Sequence, residues 1–191
     1  MAVHAVRIAC LAWGSLIWKP GALPLAAPWR PGGPRLPLAF ARVGDKGELA
    51  VALCPRAPDA PTYWTELALD DLDRARELLR EREEVDPERP DGIGSVPARG
   101  AAGAWDARIA AWAADNGIDA VIWTALPPRS AGEEGRTPSA DEAVAYLDHL
   151  QGDVRRHAES YVRQVPPDIR TPYRDVIEAR LGWAPRAGSE G

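Results

Sequence analysis

Val6-Arg7-Ile8-Ala9-Cys10-Leu11-Ala12-Trp13-Gly14-Ser15-Leu16-Ile17-Trp18 is the stretch from which the fold is read. Val6–Ala12 is mostly apolar and contains β-branched residues, a pattern that predicts a buried strand. Gly14 follows directly at its end. A glycine there lets the backbone turn sharply and present successive N–H groups in one direction. Such a loop can hold a carboxylate, or an oxyanion that develops during a reaction. An ordinary Gly-Ser turn fits the same letters.

The connection from 19 to 34 carries Pro20, Pro24, Pro28, Pro31 and Pro34 and reads as irregular chain. Leu36–Val43 and Glu48–Leu53 are strand-like and flank Gly44-Asp45-Lys46-Gly47, a hairpin signal. Thr62–Leu69 is a fourth strand candidate, so four strands, mostly antiparallel, are expected in the first seventy residues. Asp70 or Asp71 can cap a helix whose stripe is Leu72, Ala75, Leu78 and Leu79. The Pro- and Gly-rich stretch 85–103 reads as a long loop, a candidate lid. Trp105, Ile109 and Trp112 mark a second helix closed by Gly117, and Ile118–Leu126 a fifth strand. After a polar loop at 127–138 the chain is helical. Ser139 and Glu142 form a capping-box pattern, Val154, Ala158 and Tyr161 line one helix face, and Thr171-Pro172 opens a last helix ending at Gly182. The expected class is α+β: a mixed or antiparallel sheet curled toward a small barrel, flanked by helices, in one domain over 1–184 with a flexible tail at 185–191.

Composition narrows the function. The chain has 191 residues, 46% hydrophobic and 27% charged, enough for a real core. A net charge of −5 argues against a nucleic-acid binder that works by neutralising phosphates, and against a polybasic membrane anchor. No apolar run reaches the ~18–20 residues of a membrane span. With only Cys10 and Cys54 there is no disulfide framework, and a cytoplasmic location with reduced thiols is expected. Only Lys19 and Lys46 among 23 basic residues are lysine, a bias that speaks of genome composition. Motifs such as HExxH, CxxC, the phosphate-binding GxxxxGK[ST] loop and GxSxG are absent. His149 and His157 stand eight apart on helical sequence, too far along an axis to share a metal.

Ala12-Trp13-Gly14-Ser15-Leu16-Ile17-Trp18-Lys19-Pro20-Gly21 resembles the YGSLIWKPG signature of the γ-glutamylcyclotransferases, most closely the ChaC-type branch that degrades glutathione. Trp13 stands where that family has Tyr. The resemblance implies a small distorted β-barrel with flanking helices. It also implies that backbone groups around Trp13, Gly14, Ser15 and Leu16 bind the α-amino-acid end of a γ-glutamyl substrate. The family's one catalytic glutamate follows a helix after the hairpin strands. Here that stretch is Leu79-Arg80-Glu81-Arg82-Glu83-Glu84, and the Arg-Glu pair assigns the role to Glu83. Glu84 replaces the Gly expected next, which leaves Glu81 and Glu84 as substitutes. Taken alone, the same run also reads as a solvated helix end.

The implied chemistry needs neither metal nor cofactor. The free α-amine of a γ-glutamyl amide attacks its own γ-carbonyl, closes a five-membered lactam and expels an amine. One carboxylate can serve both proton transfers if partial burial raises its pKa. Tyr173 is a further candidate polar contact for the substrate. A related γ-glutamyl acyl transfer in specialised metabolism shares these residues. A non-catalytic small-molecule-binding domain would keep the loop and lose the acid. The expected partner is a small γ-glutamyl compound, and the sequence sets no oligomeric state.

Overall fold

β1 (Ile8–Ala12) is buried at every position. A strand buried on both faces reads as a continuous apolar run, which explains the absence of alternation in its sequence. The computed structural model describes residues 4–187; positions 188–191 of the expected tail lie outside the described residues. In chain order the further elements are β2 (Arg30–Pro31), β3 (Leu36–Val43), β4 (Leu49–Leu53), β5 (Asp59–Ala60), β6 (Tyr63–Glu66), α1 (Leu72–Arg82), β7 (Ile93–Val96), α2 (Asp106–Asp115), β8 (Ala120–Thr124), β9 (Arg129–Ser130), β10 (Glu133–Glu134), α3 (Ala140–His149), α4 (Gly152–Gln164) and α5 (Pro172–Leu181). The architecture is α+β with mixed sheets. The chain divides into two compact units, each made of separate segments.

The first unit comprises the chain through Ala12, Lys19–Arg35 and Pro61–Leu126. Its sheet has the order β2-β6-β1-β8-β7. β1 pairs antiparallel with β6 and parallel with β8, with Cys10 opposite Thr65 and Ile122. Paired residues point to the same face, and neighbours along a strand to opposite faces. Cys10, Ile122 and Ser95 therefore share one face, and Thr124, two residues past Ile122, lies on it too. α1 covers that face: its Arg76 donates to the Ser95 hydroxyl (2.8 Å) and the Ile93 carbonyl (2.9 Å). α2 covers the other, where Trp112 meets Trp64 edge-on at 5.1 Å.

Two expectations change here. The early strands do not make one antiparallel sheet. β1 and β6 belong to this sheet, whereas β3, β4 and β5 belong to another, and β1 takes its parallel neighbour from β8 across a long crossover. The stretch 85–103 is not a lid along its whole length. Residues 93–96 are β7, laddered to β8 at four positions, because Ile93 and Ser95 have a buried face to fill. Helix α1 begins as read: the Asp71 carboxylate accepts the Arg74 N–H at 3.0 Å, and Leu72, Ala75 and Leu79 are its buried residues.

The second unit comprises Trp13–Trp18, Leu36–Ala60 and the chain from Pro127 on. β3 and β4 form the expected hairpin through the 44–47 turn, with a register shift between Phe40 and Arg42. Gly47 adopts the left-handed conformation (φ 84°) that the turn requires. β5 and β9 also pair with β3, and β10 with β9. The capping box of α3 forms with both arms made, Glu142 N–H to Ser139 Oγ (3.1 Å) and Ser139 N–H to Glu142 (2.8 Å). Thr171 caps α5, Pro172 takes its first position and Gly182 closes it in the left-handed region. Arg174 of α5 is fully buried and donates to the carbonyls of Val162, Val165 and Pro166, where α4 ends. A cation there satisfies the helix's orphan carbonyls.

Candidate functional site

α1 runs out of helix at Arg82, and Glu83 is its C-cap, its N–H bonded back to the Leu79 and Glu81 carbonyls. The next residue, Glu84, has φ 54°. Helices commonly close on one left-handed residue, usually glycine. Here a glutamate, not a glycine, bears that conformation. The turn directs Glu83 back toward the sheet while Glu81 and Glu84 stay exposed.

Only 19% of the Glu83 side chain reaches solvent. Burial holds its carboxyl above the ordinary carboxylate range; the neighbouring Arg82 charge and a hydrogen bond from Thr124 oppose that rise. The Arg82 guanidinium lies 3.4 Å from Glu83 Oε1. Glu83 in turn is among the influences that push the Cys10 thiol up, after burial, which is the largest. The carboxyl therefore stands on the α1 face of the sheet, at the carboxyl ends of β1 and β8.

Arg82 links this turn to the end of the opening stretch. Its Nε and one terminal nitrogen both donate to the Lys19 carbonyl, at 2.9 and 2.5 Å. Gly21, at φ 64°, lies so close that an added Cβ would stand 3.1 Å from Arg82 Cγ. Lys19-Pro20-Gly21 and Arg82-Glu83, remote in sequence, are thus packed together in the first unit.

The 13–18 loop belongs to the second unit. Ile17 N–H donates to the Gly14 carbonyl at 3.0 Å, closing a tight turn. Trp13 and Leu16 are buried, 6% and 4% exposed, so these side chains anchor the loop. Ser15, Ile17 and Trp18 are partly exposed. Tyr161 of α4 lies against the loop: its ring meets Trp18 edge-on at 5.3 Å, and its hydroxyl accepts the Val51 N–H of β4 at 3.1 Å.

Tyr173 lies at the start of α5. It packs on Ala39, Ala41 and Cys54, and its hydroxyl donates to the Pro138 carbonyl. Burial pushes the Tyr173 phenol up, and it pushes the thiol of Cys54, a core residue, up to about 12. No cluster of three or more His, Cys, Asp or Glu residues suited to a metal ion occurs among the described residues. No helix among them is long and apolar enough to cross a membrane.

Sequence reasoning did not single out Thr124, Arg82 as an anchor, or Tyr161 as a loop contact. Thr124 had one signal, a polar residue closing the run Ile122-Trp123-Thr124. Tyr161 read only as part of an apolar helix face, because nothing in the local sequence says what that face meets. No protein-family model and no curated protein matches this chain.

Proposed function

We propose that the protein is a γ-glutamylcyclotransferase-like enzyme, with a β-barrel-type fold of that kind, that converts a γ-glutamyl amide into 5-oxoproline and a free amine. The observation that carries the reading is Glu83: a mostly buried carboxyl whose pKa is held up by burial and whose Arg82 neighbour grips the Lys19 carbonyl at the end of the signature stretch. Surface glutamates have no reason to be so placed, and perturbed carboxyls gather where protons are moved.

In this reading Glu83 takes a proton from the substrate's α-ammonium. The freed amine attacks the γ-carbonyl and a C–N bond closes the lactam; the old amide C–N bond breaks as Glu83 returns its proton to the leaving nitrogen, and the carboxylate so regenerated takes the second proton shed by the lactam nitrogen and passes it to the departing amine or to solvent. The nucleophile is already part of the substrate, so the main demand on the protein is orientation. A carboxyl that both gives and takes must hold either state at modest cost. Burial favours its neutral form, and Arg82 and Thr124 favour its charged form. The resemblance assigns to the amides of Gly14–Leu16 the part of receiving the substrate's α-carboxylate or the oxyanion of the γ-carbonyl. Trp13, with no hydroxyl where the family has one, acts through the loop's shape.

The test is a panel of γ-glutamyl amines and γ-glutamyl dipeptides, glutathione included, incubated with the protein and with Glu83→Gln, with 5-oxoproline read by mass spectrometry. Release by the parent and loss in the variant is the expected result. Turnover that survives Glu83→Gln would remove the acid from this assignment, and silence across the panel would overturn the cyclotransferase reading.

A further inference from the structure

Gly14 has ordinary backbone torsion: its φ lies outside the left-handed region. Its reason for being glycine is space. A Cβ built there would fall 2.3 Å from the Tyr161 hydroxyl oxygen and 3.4 Å from Cζ, the ring carbon that bears it. Contacts below about 3.0 Å are not tolerated, and a side-chain tip normally escapes by moving. Tyr161 is poorly free to move. It is 7% exposed, its oxygen is held by the Val51 amide, and its ring is set edge-on against Trp18, which ends the same loop. Tyr161 therefore touches both limbs of the 13–18 turn, at Gly14 and at Trp18.

We infer that Tyr161 is the positioning residue of this loop: its hydroxyl, fixed by the Val51 N–H, seats against Gly14 and sets the direction of the Gly14–Leu16 amides. In catalytic terms this rests on the function proposed above, in which those amides receive the substrate. Tyr161 would act through the loop, without itself taking part in proton transfer. Two consequences follow. Removing the one oxygen atom frees the loop, and the space it leaves is the space an alanine methyl at position 14 needs.

The experiment compares the parent protein with Tyr161→Phe, Gly14→Ala and the double variant, by thermal unfolding and by amide hydrogen exchange of residues 13–18. Gly14→Ala should lower Tm markedly, and adding Tyr161→Phe should recover most of that loss, since the remaining ring carbon stands at ordinary contact distance. In Tyr161→Phe alone, exchange at 14–17 should quicken while the β3–β4 ladder away from Val51 keeps its protection. With an active substrate from the panel, Tyr161→Phe should raise KM about 10-fold and change kcat far less, the pattern of lost ground-state and transition-state binding in equal measure. Additive Tm losses in the double variant, or unchanged exchange at 14–17, would overturn the inference. A KM unchanged in an active Tyr161→Phe enzyme would also overturn its catalytic part. A panel without turnover, alongside rescue by the double variant, would leave Tyr161 as the loop's anchor and sink the cyclotransferase reading instead.

Discussion

Two turns, one in each unit, use glycine logic in opposite ways. At the end of α1 the backbone asks for glycine's torsion and gets a glutamate: Glu84 sits at φ 54°. In the 13–18 loop the torsion is ordinary and glycine is needed for room, because the Tyr161 hydroxyl fills the space of a Cβ at Gly14. The first turn offers a titratable group, Glu83, and spends backbone strain in presenting it. The second is held by its side chains, with Trp13 and Leu16 buried beneath it. The same residue type can thus be required for torsion in one place and for volume in another.

Glu83→Gln should cut 5-oxoproline formation by at least about 100-fold, the lower end of what a general acid–base group contributes. Circular dichroism should remain that of the parent. Full turnover would mean that the first turn carries no chemistry.

The next effect is on stability against pH. The folded pKa of Glu83 lies above its ordinary value of 4.5. Between those two values the native state holds more protons than the unfolded state, so this group's contribution to stability falls as pH rises through the window. Below pH 4.5 it contributes no penalty; above the folded pKa the full cost of the buried charge is present. Glu83→Gln should therefore be more stable than the parent at neutral pH, with an advantage that shrinks toward pH 4. Urea titrations at several pH values would check the sign, and a pH-independent difference would mean that Glu83 is not desolvated.

Thr124→Val removes a hydrogen bond that favours the charged carboxylate. The acid limb of the kcat/KM profile should move to higher pH, and Thr124→Ser should restore it. A profile that stays put in Thr124→Val would show that the hydroxyl does not tune the acid.

The smallest effect is Glu84→Gly. Relief of a left-handed non-glycine residue gains about 1–2 kcal/mol, and glycine's extra unfolded-state freedom takes back about 0.5–1 kcal/mol. A net stabilisation of roughly 0.5–1 kcal/mol by urea unfolding is expected, with turnover unchanged. Destabilisation would mean that the Glu84 side chain makes a contribution larger than the torsional cost.

Much of the local structure was legible because local chemistry dictates it. The Asp71, Ser139 and Thr171 caps form where their side chains can reach an orphan N–H three residues on. The 44–47 turn and the span Leu36–Val43 appear as read, since turn residues and strand formers alternate there without ambiguity. Sheet membership was not legible. β1 and β8 are both short apolar runs, and nothing in either names its neighbour. β7 was hidden because Ile93-Gly94-Ser95-Val96 carries two small residues and lies among prolines and glycines. Gly94 is small for a packing reason, as a Cβ there would stand 2.1 Å from the Trp123 ring.

The candidate site divides along the same line. A glycine turn after the first strand and an Arg-Glu pair at the end of the first helix are already set by the amino-acid order. These are matters of residue type and short spacing, governed by torsion, capping and charge. Which glutamate of the Glu81–Glu84 run is buried, that Thr124 faces it, that Arg82 holds Lys19 and that Tyr161 fills the space over Gly14 emerge from the folded chain alone. Each of those depends on packing between segments far apart in the chain, where burial sets a proton's affinity and one oxygen atom sets a loop.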